Sequence, residues 1–169
     1  MKPIEKYLIE AGSAVNAELH FVGGFKGDEL DEGSNVNGIY VAFACKENDD
    51  AYDCLRILYI GKAEGEDTIK KRITDHYNGR DDYESGKQSV WEKKYCEEGE
   101  VVVYSYAEHE KDLFDIEASL IYRNQPLANI VGKDHYIGES AYAYVKCTGE
   151  KGCLADTTKI MRLKRVYKK

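Results

Sequence analysis

Two apolar runs set close together constrain this chain most: Gly38-Ile39-Tyr40-Val41-Ala42-Phe43-Ala44-Cys45 and Leu55-Arg56-Ile57-Leu58-Tyr59-Ile60-Gly61. Both are bounded by turn-forming or charged residues, so each predicts a β-strand of roughly 6–8 residues. The segment Lys46-Glu47-Asn48-Asp49-Asp50 between them is polar and suits a hairpin loop, not a crossover. The pair therefore reads as an antiparallel hairpin. Within it the tripeptides Gly38-Ile39-Tyr40 and Tyr59-Ile60-Gly61 stand eighteen residues apart.

Downstream, Asp67 is a candidate N-cap for a helix from Thr68 to Asn78, with Gly79 placed to end it. Ile69, Ile73 and Tyr77 form its buried stripe, and Arg72 and His76, also four apart, share the neighbouring edge. Ser89 to Cys96, which holds the only tryptophan, predicts a short second helix. Val101 to Tyr106 predicts a third strand, and about Lys111 to Tyr122 a further helix, stopped at Gln125-Pro126. Upstream, Ile4, Tyr7, Leu8 and Ala11 have helical spacing, and Gly23-Gly24 with the run Asp28 to Gly33 predicts a loop. Ala141 to Cys147 predicts one more strand. The order implies an α+β fold with a small three-stranded antiparallel sheet flanked by helices. Residues 1–169 read as a single domain, with an N-terminal extension over 1–36, a core over 37–131, and a C-terminal strand and basic tail over 132–169.

Apolar content of 43% and charged content of 33% place the chain among globular proteins with an ordinary core. No apolar run approaches the ~20 residues that span a membrane, and Met1 to Lys6 has no signal-peptide core. Five scattered cysteines read as reduced thiols. Cys147 and Cys153 lack the second pair a structural zinc needs. The expectation is a cytoplasmic protein with no membrane partner. A net charge of −7 weighs against a nucleic-acid partner, but the charge is uneven. Residues 159 to 169 carry six basic residues and no acidic one, among them Arg162, Lys164 and Arg165, and Lys62, Lys70, Lys71 and Arg72 form a second basic group. Screening limits charges to about 8–10 Å of reach, so a local basic surface can coexist with an acidic total.

Glu117 is the most informative single residue. At 100° per residue it falls on the face of its helix that carries Leu113, Ile116, Leu120 and Ile121. A carboxylate there must be paired, hydrogen-bonded or bound to a cation. An arginine or a backbone amide would satisfy it, and so would a divalent metal. Tyr40 shares its strand face with Ala42 and Ala44, whose small side chains leave room for a ligand. Lys62 follows Tyr59-Ile60-Gly61 directly, where the chain leaves the sheet.

Taken together, these positions resemble the GIY-YIG nucleases, metal-dependent enzymes that cut nucleic-acid phosphodiesters. The resemblance covers residues 38 to 131. It implies that Glu117 anchors one Mg²⁺ or Mn²⁺, that Arg72 contacts the scissile phosphate, and that Asn129 helps to fix the site. It places Tyr40 or Tyr59 beside the attacking water or phosphate; we assign Tyr40 as base, assisted by His76 or Lys62, and Tyr59 as its orienting partner. For that task the Tyr40 hydroxyl, ordinarily near pKa ~10, has to be lowered by a neighbouring cation such as Lys62, charged His76 or the metal. Lys62, Lys70, Lys71, Arg72, Arg162, Lys164 and Arg165 are the expected nucleic-acid contacts. The expected activity is a divalent-metal-dependent DNA endonuclease, with DNA favoured over RNA as substrate. Its rivals are a non-cleaving module on the same fold, which binds protein or nucleic acid, and an RNA-directed nuclease; a protein partner or a homodimer stays open. The insert between the tripeptides is longer than is usual in the family, and no target-reading module is visible.

Overall fold

The computed structural model describes residues 5–9, 12–49 and 51–167, without the side chains of residues 5–9 and 163–167. The strands are β1 (Glu5–Ile9), β2 (Ala14–Phe25), β3 (Gly38–Asn48), β4 (Ala51–Ala63), β5 (Glu100–Glu108), β6 (Tyr142–Gly149), β7 (Thr157–Met161) and β8 (Leu163–Tyr167). Three α-helices join them: α1 (Ile69–Tyr77), α2 (Gln88–Tyr95) and α3 (Leu113–Asn124).

The predicted hairpin forms. β3 and β4 pair antiparallel from Gly38↔Ala63 to Asn48↔Ala51. The expected three-stranded antiparallel sheet does not. The sheet has six strands in the order β4-β3-β5-β2-β6-β7, and it is mixed, because β2 and β6 run parallel from Ala14↔Tyr142 to Phe21↔Gly149. The supposed N-terminal extension supplies β2, a central strand. Its buried residues, Val15, Ala17, Leu19 and Phe21, alternate with exposed Asn16, Glu18 and His20. Gly23 and Gly24, expected in a loop, instead form a bulge that carries the far end of β2 onto β5. A side chain at Gly23 would strike the Ser105 hydroxyl. The helix expected around Tyr7 and Leu8 is also overturned, since β1 pairs with β8 as a separate two-stranded sheet. Ile4 and Ala11 of that pattern lie outside the described residues.

β3 is buried on both faces, as befits an interior strand of a covered sheet. Ile39, Val41 and Phe43 pack with Leu113, Ile116 and Leu120 of α3. Tyr40, Ala42 and Ala44 pack with Ile69 and Ile73 of α1 and Trp91 of α2. The room expected above the two alanines is thus filled by helices. The cap of α1 is Thr68, whose hydroxyl accepts the Lys71 amide, in place of Asp67. α1 does end at Asn78, with Gly79 at φ +68°.

β4 is an edge strand, and its outward backbone groups are satisfied from elsewhere in the chain. Leu127 and Ala128 donate their amides to the carbonyls of Ile57 and Leu58. Asn129 clasps Ile60, accepting its N–H and donating to its carbonyl, both at 2.9 Å. The next outward amide, on Lys62, donates to Glu117 at 3.1 Å.

Candidate active site

A cleft of about 250 Å³ opens beside the outer edge of β4, lined by Tyr40, Tyr59, Lys62, Glu64, Asp67, Arg72 and Glu117. Five of these residues, Tyr40, Tyr59, Lys62, Arg72 and Glu117, are site candidates from the sequence. They come from both layers of the fold, Glu117 from α3 on one face and Arg72 from α1 on the other.

The glycines of the two tripeptides are packing requirements. A Cβ at Gly61 would lie 2.4 Å from the Tyr40 ring and hydroxyl, which pass directly over it. Gly38 has φ +154°, and a Cβ there would meet the Ala107 carbonyl at 2.0 Å. Tyr40 is therefore held between β4 and α1.

The Tyr40 hydroxyl lies 2.7 Å from His76 Nε2. The other ring nitrogen of His76 lies 2.5 Å from the Gly86 carbonyl, which can only accept. His76 Nδ1 therefore carries the proton, and Nε2 accepts from Tyr40. Burial lowers His76 to a pKa of about 4, which keeps it neutral. It cannot be the charged neighbour that the sequence reading invoked to acidify Tyr40. Burial, with Tyr59 adding to it, pushes Tyr40 well above its ordinary value, and Arg72 offsets only part of that.

Asp81, which sequence reasoning missed, completes the arrangement. One of its oxygens lies 3.3 Å from His76 Nδ1 and 3.8 Å from Arg72 Nη2. The other accepts the Tyr83 amide at 2.8 Å. Gly86 permits this approach, since a Cβ there would stand 2.4 Å from the Asp81 carboxyl. Trp91 was also missed. It stacks on Tyr59 with centroids 5.1 Å apart and planes at 17°, and lies 5.2 Å from the His76 ring. Its rank as the only tryptophan was the one available signal; Asp81 gave none. Burial raises Tyr59 to about 12.

Glu117 is half-buried, and burial raises it to about 7 against the opposing pull of Lys62. The Lys62 amide takes one acceptor position, and a carboxylate has about four. The predicted basic group is already partnered: Lys62 with Glu64, Lys70 with Glu32, and Lys71 with Asp67. Arg162 donates to the Gly138 carbonyl, and its guanidinium sits 5.4 Å above the Tyr136 ring. Residues 157–161 and 163–167 of the expected tail are strands, β7 and β8. The side chains of Lys164 and Arg165, and all of Lys168 and Lys169, lie outside the described residues.

Among the described residues no three His, Cys, Asp or Glu side chains converge as a preformed metal cage, and no helix is long and apolar enough to cross a membrane. The cleft donors are nonetheless hard oxygens, with Glu64 and Asp67 lining the same space as Glu117. That set fits a hydrated Mg²⁺, which is commonly held by one or two carboxylates plus substrate phosphate.

This chain is similar to UvrABC system protein C of Fervidobacterium nodosum. The two are 27% identical over 122 residues, which make up 72% of this chain and 17% of that protein. No protein-family model matches the chain, and no solved structure does.

Proposed function

We propose that this protein is an endonuclease that hydrolyses phosphodiester bonds in DNA with a single divalent cation, Mg²⁺ or Mn²⁺, held by Glu117. The observation that carries the reading is the hydrogen bond from Tyr40, which lines the cleft with Arg72 and Glu117, to the buried His76 behind it, with its direction fixed by the Gly86 carbonyl. Similarity to UvrABC system protein C and the GIY-YIG-like tripeptides agree with it.

The role of Tyr40 follows from its surroundings. A free Tyr40 phenolate is disfavoured by burial. Tyr40 therefore takes a proton from the attacking water only as it passes its own to His76 Nε2. The imidazolium formed is stabilised by Asp81 at its Nδ1 side. Arg72 offers a planar, permanently charged fork to the phosphate oxygens and to the charge that develops on them. Asn129 does not line the cleft; it fixes the Ile60 backbone between Tyr59 and Gly61. A cation at Glu117 would supply Lewis-acid polarisation of the phosphate and stabilise the departing oxygen.

The test is incubation with supercoiled, linear and single-stranded DNA and with RNA, with Mg²⁺, Mn²⁺ or chelator. Cleavage that needs the cation and is abolished by Glu117→Gln supports the proposal. Undiminished cleavage by Glu117→Gln or in chelator removes it, and preference for RNA transfers the activity to the RNA-directed alternative. One feature favours the non-cleaving reading: the paired lysines and net charge of −7 leave a weak electrostatic grip on DNA. Binding without cleavage of any of these substrates would establish it.

A further inference from the structure

Outside this cleft lies a larger cavity of about 640 Å³, lined by Tyr52, Asp53, Cys54, Ser105, Glu150 and Cys153 among others. It shares no lining residue with the Tyr40 cleft. Behind its wall stands Cys45, fully buried on β3 and paired in register with Cys54 of β4. The two sulfurs are 3.1 Å apart, with the Cys45 thiol donating to Cys54. Cross-strand partners have Cα atoms about 4.5–5.5 Å apart, within the span of a disulfide. The ladder is irregular between Ala44 and Cys45, so this pair sits where the strands already depart from regular register. A Cβ at Gly152 would stand 3.1 Å from the Cys54 sulfur, so the glycine leaves that sulfur open to the cavity.

We infer that Cys45 and Cys54 form a reversible thiol–disulfide site that takes a small peroxide, with Cys54 as the attacking sulfur and Cys45 as the resolving one. The thiol electrostatics agree with this division of roles. The hydrogen bond from Cys45 lowers Cys54, whereas Cys45, Cys96, Cys147 and Cys153 are all raised. Only the thiolate is strongly nucleophilic, so Cys54 alone of the five is biased toward reaction. It is half-buried at the cavity wall, whereas Cys45 is buried and does not line the cavity.

The steps balance. The Cys54 thiolate attacks one peroxide oxygen, the O–O bond breaks, and the second oxygen leaves as hydroxide. Cys54 is then a sulfenic acid. Cys45 gives its proton to that hydroxide, making the first water, and its sulfur attacks the Cys54 sulfur and expels the sulfenic oxygen as hydroxide. That hydroxide becomes the second water with the proton that Cys54 released to solvent on ionising. Two thiols and one peroxide give one disulfide and two waters, and two electrons pass from sulfur to oxygen. A dithiol reductant reverses the bridge.

The full chain is treated with hydrogen peroxide, alkylated, digested and mapped by mass spectrometry. The expected result is a dithiothreitol-reversible Cys45–Cys54 bridge while Cys96, Cys147 and Cys153 are still alkylated as free thiols. Cys45→Ser should leave Cys54 as a sulfenic acid that dimedone traps, and Cys54→Ser should slow peroxide consumption by roughly tenfold. Cys153→Ser should keep the bridge. First oxidation at Cys153, a Cys54–Cys153 bridge, or wild-type peroxide consumption by Cys54→Ser would each overturn the inference. Thermal unfolding checks that the variants fold; if Cys54→Ser does not, the order of oxidation in the wild-type map decides.

Discussion

Replacing His76 should change how stability responds to acid, in a direction that the fold dictates. His76 titrates at about 4 in the folded chain and at ~6.5 when unfolded. Below pH ~6.5 the unfolded state takes up a proton that the folded state refuses, so stability is present above that pH and is lost as pH falls through about 4. The total is on the order of 3 kcal/mol, of which about 2 kcal/mol is gone by pH 5. Glu117 acts oppositely in the same window. Raised from 4.5 to about 7, it contributes stability that is full below 4.5 and is lost as pH rises through 7. In the wild type the two nearly cancel, and the curve from pH 7.5 to 5 should be flat apart from other carboxylates. Urea unfolding in chelator, followed by circular dichroism, separates them. Glu117→Gln should lose about 2 kcal/mol more than wild type between pH 7.5 and 5. His76→Asn, with Glu117 unopposed, should gain relative to wild type over that range. Three parallel curves would refute a buried histidine lowered to about 4 and a half-buried glutamate raised to about 7.

Asn129→Ala should cost about 2–4 kcal/mol in unfolding experiments, because it strands both backbone groups of Ile60 at the β4 edge. Gly61→Ala should lower turnover more than it lowers DNA affinity in single-turnover assays, since its Cβ would displace the Tyr40 ring from His76. Replacing Lys62, Lys70 and Lys71 with glutamine should flatten the log–log salt dependence of duplex binding by less than the ~0.9 per contact of a free lysine, because each is already held by a carboxylate. Divalent-cation affinity measured calorimetrically should weaken below pH 7, as the cation must then displace a proton from Glu117.

The hairpin and all three helices were legible because each carries a local signal: alternating or periodic apolar residues with turn formers or caps at the ends. β2 was not. Its exposed positions Asn16, Glu18 and His20 dilute the hydrophobic pattern, and Gly23-Gly24 imitates a loop. Its parallel partner β6 lies more than a hundred residues away, and nothing local announces such pairing. At the site, Tyr40, Tyr59, Lys62, Arg72 and Glu117 were named from the sequence and do meet. The sense of the Tyr40–His76 interaction was illegible, because it depends on which carbonyl faces the far side of the imidazole. Asp81 was illegible for a similar reason, since its place depends on a missing side chain at Gly86.

The cleft also has a chronology. Tyr40, Tyr59, Arg72, His76, Asp81 and Trp91 all leave the ribosome before α3 does, whereas Glu117 and Asn129 arrive with α3 and the segment after it. The strand edge at Ile60 and Lys62 stays open until those two side chains dock against it. A nascent or truncated chain ending before residue 113 would thus have the tyrosines and the arginine but not the proposed metal anchor. Closing the sheet edge and delivering the proposed metal anchor thus depend on the same late segment of the chain.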